Sequence, residues 1–223
     1  QTRKKPRLTC RLRRWTLGRM WFADQQCGHQ THRHQPRHHQ IAELPGRMLI
    51  NGIVGVDPGR QPGEEVEPGP GQESVWDYPR PPVAVADARL VQVKLDGRLI
   101  AETRAAQRVL ETASPPTFYL PPDAVRGDCL RPASGSSFCE WKGRARYFDV
   151  CVDEHCVENA AWSYPEPSAE FTAIRNCLAF YPHRIACYVD GERVRAQAGG
   201  FYGGWITDEI VGPFKGEPGT SGW

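Results

Sequence analysis

Two segments of the chain share a pattern that is typical of β hairpins. They read LVQVKLDGRLIAET at 90–103 and RIACYVDGERVRAQ at 184–197, and each places an Asp-Gly pair between two β-rich runs. Asp-Gly is a preferred dipeptide of the two-residue type I′ turn, because both central residues of that turn need positive φ. The pairs Asp96-Gly97 and Asp190-Gly191 therefore predict two hairpins, which we expect to be equivalent pieces of two sheets.

The segment between these hairpins predicts further strands. Residues 136–164 contain three β-rich runs, and turn signals separate them at Lys142-Gly143 and at 153–155. Short alternating runs joined by turns favour antiparallel sheets over parallel ones, because parallel strands need long crossover connections. The sequence therefore predicts a mainly β domain made of two antiparallel sheets of short hairpins.

Helical signals are few. The best helix formers lie at 103–112, and a second candidate at 168–177 begins with Ser168 as a possible cap. In the second candidate Phe171 and Ile174 are three residues apart and share one face. We expect one or two short helices beside the sheets.

The first part of the chain differs in charge from the rest. Residues 1–40 contain ten Lys and Arg but one acid, Asp24, whereas the remaining residues carry 18 basic and 25 acidic side chains. Five of the seven histidines also lie there, without the apolar periodicity that a core needs. We expect a disordered arm over 1–47, a Pro/Gly-rich linker over 48–72 and a β domain over 73–223.

Two interpretations of the basic arm stay open. As a basic tail it would neutralise phosphates and bind nucleic acid, with an affinity that falls as salt rises. Alternatively, the arm is not natural coding sequence, since the chain starts at Gln1 and its only methionines are Met20 and Met48. We favour the second interpretation and do not expect nucleic acid as a partner.

The cysteines of the β domain are interpreted as reduced thiols. Several lie in apolar strand sequence, where a free thiol behaves as a small hydrophobe. The alternative is zinc at Cys151 and Cys156, which flank His155, but a structural zinc site usually combines two short Cys spacings and no second pair of this kind is present. We expect no metal and leave zinc at this pair open. The six residues are Cys129, Cys139, Cys151, Cys156, Cys177 and Cys187.

The composition gives no sign of a membrane segment. No run approaches the roughly 18 apolar residues that a transmembrane helix needs. We expect a protein that does not contact membranes, lies in the cytoplasm and holds no cofactor.

Short motifs run through residues 72–223, among them ESVWDYPRPP, VLETASPPTFYLP, CEWKGRARY, AWSYPEP, AFYP and FYGGWITDEIVGPFKGEPGTSGW. They resemble the motifs of the bacterial domain-of-unknown-function family 427. The resemblance implies a β-tent-like fold, in which two antiparallel sheets meet at an angle over a shared core. It also brings a nucleotidyltransferase-like label, although the chain shows neither a GxxxxGK[ST] loop nor an obvious pair of aspartates. The matching stretches stand at 73–82, 100–103, 109–121, 139–147, 161–167, 179–182, 189–192 and 201–223.

Polar and aromatic residues inside these motifs are candidates for a binding site. An acid, a lysine, a thiol and several stacking faces would together form an aromatic-walled pocket for a small planar or sugar-like molecule. Taken singly, each residue is better explained without a ligand: the Trp and Tyr residues as core aromatics, Lys142 as a solvated turn residue, and Glu111 as an ion-pair partner of Arg104 or Arg108. The candidates are Glu111, Thr112, Tyr119, Cys139, Lys142, Trp162 and Tyr164, with Tyr181 as a further stacking face.

Whether the chain catalyses a reaction stays open. A nucleotidyl-transfer enzyme needs carboxylates that converge on magnesium ions. A thiol-dependent enzyme would use Cys139 as its nucleophile and needs a base such as His155 or His183 beside it. Small-molecule binding is the preferred hypothesis, ahead of both kinds of enzyme and of nucleic-acid binding.

The C-terminal segment 199–223 is rich in glycines and aromatics. Glycine allows positive φ and close approach, and large aromatic faces need a surface to pack on. We expect this tail to close over the edge of the β domain, with Trp223 as its last anchor, and to contribute stability rather than chemistry.

Overall fold

The computed structural model describes residues 66–220. The arm predicted over 1–47, most of the linker predicted over 48–72, and the anchor residue Trp223 lie outside the described residues. The strands are β1 (Glu73–Ser74), β2 (Val83–Asp87), β3 (Val91–Leu95), β4 (Arg98–Thr103), β5 (Ala106–Glu111), β6 (Ser114–Tyr119), β7 (Leu130–Cys139), β8 (Gly143–Val152), β9 (His155–Ser163), β10 (Leu178–Phe180), β11 (Ala186–Val189), β12 (Glu192–Arg193), β13 (Arg195–Ala196), β14 (Trp205–Ile206) and β15 (Ile210–Val211).

These strands form several antiparallel sheets. Two sheets have four strands, in the orders β10-β9-β8-β7 and β12-β11-β3-β4, and a third has the order β2-β5-β6. A parallel pair, β1-β15, and an antiparallel pair, β13-β14, complete the described residues. The predicted mainly β, antiparallel architecture is confirmed, with more sheets than the two we expected.

Both Asp-Gly hairpins are present. Asp96 and Gly97 have φ of 50° and 76°, and Asp190 and Gly191 have φ of 45° and 86°, which are the positive values that a type I′ turn needs. The expectation that they belong to two sheets is wrong. Strand β11 pairs with β3, from Ala186 opposite Lys94 to Val189 opposite Val91, so the two hairpins join into one sheet. They join because alternate residues of β3 and β11 are buried and share one core.

The three strands predicted within 136–164 are also confirmed as β7, β8 and β9. Gly143 follows the first turn with φ of 92°, and Asp153 in the second turn has φ of 52°. These local signals were readable because the turn chemistry lies in adjacent residues.

One helix prediction is wrong and the other is partly right. Residues 103–112 contain β5, which pairs with β2 on one side and with β6 on the other; sheet pairing overrides a weak helix propensity. Residues Ala169–Ile174 form a 3₁₀ helix that buries Phe171 and Ile174, but the Ser168 hydroxyl donates to the Trp141 carbonyl instead of capping it. Among the described residues, no helix is long and apolar enough to cross a membrane.

Two hydrophobic clusters lie against the four-stranded sheets. The larger one holds the aliphatic side chains of β3, β4, β8 and β10 together with Trp205, which is fully buried, stacks on Phe118 at 4.9 Å and donates its indole N–H to the Phe180 carbonyl. The second cluster is half aromatic and includes Tyr119 and Trp162. The second cluster positions the candidate site.

Charged side chains hold the C-terminal segment against the domain. Arg89 binds Asp87 through two nitrogens and also pairs with Glu209, and Arg108 binds Glu73. Burial alone would raise the pKa of the Asp87 carboxyl, but its hydrogen bonds with Arg89 prevail and lower that pKa. The network links the β2–β3 connection to residues that follow β14.

Two cysteines are joined, contrary to the prediction that all are reduced. Cys151 and Cys156 face each other across β8 and β9, with their Cα atoms 4.1 Å apart, and form a disulfide. The reason is register: the short β8–β9 turn brings these residues opposite each other, which sequence spacing alone does not reveal. Because both sulfur atoms are joined in this disulfide, neither is a free thiolate that could bind zinc as the alternative proposed. The remaining described cysteines are free: Cys129, Cys139, Cys177 and Cys187.

Candidate functional site

A cavity of about 490 Å³ lies over the aromatic cluster. Its walls come from the end of β5, the start of β6, the β7–β8 turn and the C-terminal segment, and its floor comes from the rest of β6, from β9 and from residues that follow β9 and β10. The structure brings six of the seven predicted candidates, and also Tyr181, to this one cavity. They are Glu111, Tyr119, Cys139, Lys142, Trp162 and Tyr164.

Thr112 is the candidate that the structure does not bring to the cavity. Its hydroxyl donates to the Tyr78 carbonyl at 2.5 Å, and its side chain is buried. The reason is the β5–β6 turn, in which Thr112 also donates its N–H to the Pro79 carbonyl and is thereby held against the segment that precedes β2.

Aromatic rings form a packed floor. The rings of Trp162 and Tyr181 lie 4.3 Å apart between centroids, Tyr119 meets Trp162 edge-on at 6.2 Å, and Tyr119 lies 6.2 Å from Tyr164. All four side chains are at most 9% exposed. Buried and mutually packed rings hold their orientation without a ligand, so the floor is pre-formed.

The phenols of this floor are neutral at pH 7. Burial raises the pKa of Tyr119, Tyr164 and Tyr181, and in Tyr164 the nearby Cys139 thiol raises it further. A neutral phenol can donate one hydrogen bond as well as accept one. The floor therefore consists of uncharged phenols within an apolar surface.

Four charged side chains line the cavity without a polar partner among the described residues. Glu111, Lys142 and Lys215 are half-buried and Glu140 is exposed. Within residues 66–220, none of the four carboxylate or ammonium groups makes a hydrogen bond or an ion pair. Arg108, which the sequence suggested as a partner of Glu111, binds Glu73 instead, with 2.9 Å between Nη1 and Oε2.

Both lysines of the cavity lie over aromatic rings. The Lys142 Nζ is 5.7 Å from the Phe171 ring centroid, and the Lys215 Nζ is 5.9 Å from the Tyr202 ring centroid. Contacts of this kind attract a cation to the ring face and restrict where it moves.

The C-terminal segment contributes a wall that the sequence analysis missed. Tyr202, Gly203 and Lys215 line the cavity, and a Cβ on Gly203 would lie 2.2 Å from Cη2 of Trp162. The Gln197 amide holds this wall, since it accepts from the Gly204 N–H and donates to the Lys215 carbonyl. The Gly203-Gly204 pair was the available signal, because paired glycines often mark close backbone approach.

Two exposed phenylalanines stand at the cavity. Phe138 is 71% exposed and Phe201 is 67% exposed, which makes them the most exposed large apolar side chains among the described residues. Both line the cavity, one from β7 and one from the C-terminal segment. We expected the C-terminal segment to cover the edge of the β domain. Phe201 does not do so, because its side chain is exposed, whereas Trp205 is fully buried.

The geometry brings neither described histidine to Cys139, which a thiol-dependent enzyme would need as a base. Cys139 lines the cavity, but neither of the two described histidines does: His155 binds Asp96 at 2.6 Å, and the His183 ring lies 5.3 Å from the Tyr181 ring. The nucleotidyl-transfer hypothesis is likewise not supported within residues 66–220, where no group of three or more His, Cys, Asp or Glu side chains is placed to hold a metal ion.

Comparison with protein families gives a match, whereas comparison with curated proteins finds none. Residues 84–191 match the family described as NTP_transf_9, Domain of unknown function (DUF427). The matched segment contains the cavity residues from Glu111 to Tyr181 and ends before those of the C-terminal segment.

Proposed function

We propose that this chain, which belongs through residues 84–191 to the family described as Domain of unknown function (DUF427), binds a small planar or sugar-like molecule in its aromatic-lined cavity. The observation that carries the proposal is convergence: candidates from separate strands and turns meet at one concave surface. The family name itself supplies no ligand.

The size and lining of the cavity support this function. Pockets for small molecules are concave, usually between 300 and 1,000 Å³, and combine aromatic surface with a few polar groups. This cavity, at about 490 Å³, combines the floor of Trp162 and three tyrosines with two carboxylates and two lysines. A ring of the ligand would stack against Trp162 or Tyr181, while polar groups at the walls orient it.

The exposed phenylalanines support the same function. Leaving Phe138 and Phe201 in water forgoes the roughly 1.5–3 kcal/mol that burial of such a side chain provides. A ligand that enters the cavity would cover part of both rings and recover some of this free energy. Phe138 is also the safest residue to change, because an exposed side chain contributes little to folding.

A thermal-shift screen tests the proposal. Purified protein is heated with nucleobases, sugars and aromatic metabolites, and a ligand at 100 times its dissociation constant should stabilise the protein by about 2.7 kcal/mol. Phe138→Ala should reduce the shift in Tm. Leu99→Ala is the matched control, since Leu99 is 38% exposed and does not line the cavity.

Two results would refute the proposal. One is a screen in which no compound of any class raises Tm. The other is a compound whose shift in Tm is the same in the native protein and in both a Phe138→Ala and a Glu111→Ala variant, because such a compound binds elsewhere.

A further inference from the structure

We infer that the ligand of this cavity is an aromatic anion that also carries a hydrogen-bond donor. The inference rests on the proposed function and names the class of molecule that the cavity selects. It follows from the balance of charge, from the position of the lysines and from the acceptor at the β5–β6 turn.

The first step is the charge balance of the partly desolvated groups. Glu140 is exposed and therefore solvated, whereas Glu111, Lys142 and Lys215 are half-buried. Two half-buried cations and one half-buried anion lack ion-pair partners among the described residues, so the half-buried groups carry one positive charge in excess, and only the exposed Glu140 brings the formal charge of the lining to zero. Because removing a charge from water costs free energy unless it is paired, a ligand that supplies an anion is favoured over a neutral or cationic one.

The second step is the position of the two ammonium groups. Lys142 lies in the β7–β8 turn over Phe171, and Lys215 lies in the C-terminal segment over Tyr202, so the cations come from two separate segments. The neutral phenols of the floor add no negative charge that would repel an anion. An anionic group can therefore accept from either ammonium group while the ring of the ligand rests on the floor.

The third step is the carboxylate of Glu111. An ionised carboxylate only accepts hydrogen bonds, and this one has no donor among residues 66–220. It lies at the end of β5, close to the C-terminal wall, where the Lys215 N–H donates to the Ala113 carbonyl. A hydroxyl or ring N–H on the ligand would donate a hydrogen bond to the Glu111 carboxylate. The ligand should therefore carry a donor as well as an anionic group.

The last step distinguishes an aromatic ring from a sugar. The floor consists of flat ring faces and edges, and two exposed phenylalanines stand at the walls. Aromatic rings pair in offset-stacked or edge-to-face arrangements, so a flat aromatic ligand can contact several of these surfaces at once. The number of aromatic surfaces here favours the ring.

Isothermal titration with four naphthalene probes tests the inference. The probes are 6-hydroxy-2-naphthoate, 2-naphthoate, neutral 2-naphthol and cationic 2-naphthylmethylamine, which differ in charge and in the hydroxyl donor but share one ring system. We expect 6-hydroxy-2-naphthoate to bind most tightly, about tenfold tighter than 2-naphthoate, and both carboxylates to bind more tightly than the neutral and cationic probes.

Variants assign these differences to residues. Lys142→Met and Lys215→Met should each weaken 2-naphthoate about tenfold and leave 2-naphthol unchanged. Lys94→Met is the matched control, because the Lys94 Nζ also lies over an aromatic ring, 5.0 Å from that of Tyr188, but does not line the cavity. Glu111→Met should abolish the advantage of 6-hydroxy-2-naphthoate over 2-naphthoate.

The outcomes separate the two proposals. If 2-naphthol or 2-naphthylmethylamine binds as tightly as the carboxylates, the inference about charge is overturned while the proposed binding function stands. If Lys94→Met weakens 2-naphthoate as much as the cavity variants do, the assignment to the cavity is overturned. If none of the four probes and no compound of the thermal-shift screen binds, the proposed function itself fails.

Discussion

Replacing Gly203 by alanine should damage the cavity, because the added methyl group would overlap the Trp162 ring of its floor. A Cβ at this position would lie 2.2 Å from Cη2 and 3.0 Å from two further atoms of the Trp162 ring, whereas ordinary contacts begin at 3.4 Å. Gly203 has no positive φ, so backbone strain adds nothing and the effect is purely steric. Either Trp162 or the segment that carries Gly203 must move.

The size of the effect follows from how firmly Trp162 is held. The ring is 6% exposed, lies 4.3 Å from the Tyr181 ring and meets Tyr119 edge-on. Inserting a methyl group into such packing typically costs about 1–3 kcal/mol. For a domain of this size the loss corresponds to a decrease in Tm of roughly 2–12 °C. Ligand affinity should fall at least tenfold, because either movement alters the stacking surface.

Calorimetry and titration of one matched pair would measure this effect. Gly127→Ala is the control, since a Cβ there meets nothing within 4 Å and Gly127 also lacks a positive φ; its unfolding free energy should stay within about 0.5 kcal/mol of the native value. A Gly203→Ala protein with the Tm and the probe affinity of Gly127→Ala would refute the close packing of the C-terminal segment on Trp162.

Three further predictions concern the thiols and the ion network. A bound naphthoate should slow alkylation of Cys139 by iodoacetamide severalfold, because this thiol lines the cavity, and should leave the slow reaction of buried Cys187 unchanged; equal protection at both would argue against binding in the cavity. Serine at both Cys151 and Cys156 should lower the unfolding free energy by about 2 kcal/mol in denaturant titrations, and a reductant should have the same effect on the native protein but none on the variant. Asp87→Asn should cost about 1–3 kcal/mol at pH 7. The folded-state pKa of Asp87 is lowered, so its contribution is complete above the unfolded value of about 3.9 and is lost as pH falls through the folded value; a pH-independent difference would contradict this role.

Local chemistry explains what the sequence predicted correctly. The turns at Asp96-Gly97 and Asp190-Gly191 depend on adjacent residues alone, and the structure has both. Residues 106–111 form the strand β5 and not part of the predicted helix, because their state depends on pairing with β2 and β6, which lie outside the segment 103–112. The prediction that the two hairpins belong to different sheets was wrong for the same reason, because the pairing of β11 with β3 joins residues nearly one hundred positions apart.

The candidate site shows the same division between local and distant information. Aromatic and polar residue types indicated Tyr119, Trp162 and Lys142, which lie at the cavity. The contact of Gly203 with Trp162 has no local signature beyond a glycine pair, and the disulfide depends on the register of β8 and β9. Residue type therefore suggests what a site can contain, whereas the close approach of distant backbone decides which residues belong to it.

The most direct test of binding in the aromatic cavity is an NMR titration of the tryptophan indole N–H signals with 6-hydroxy-2-naphthoate, assigned through Trp→Phe variants. Trp141 and Trp162 line the cavity, whereas the Trp76 indole donates to the Pro213 carbonyl and does not. We predict saturable shifts of the Trp141 and Trp162 signals with a common dissociation constant, and no shift of the Trp76 signal. Unchanged Trp141 and Trp162 signals, or a Trp76 signal that moves as far as theirs, would contradict binding at this site.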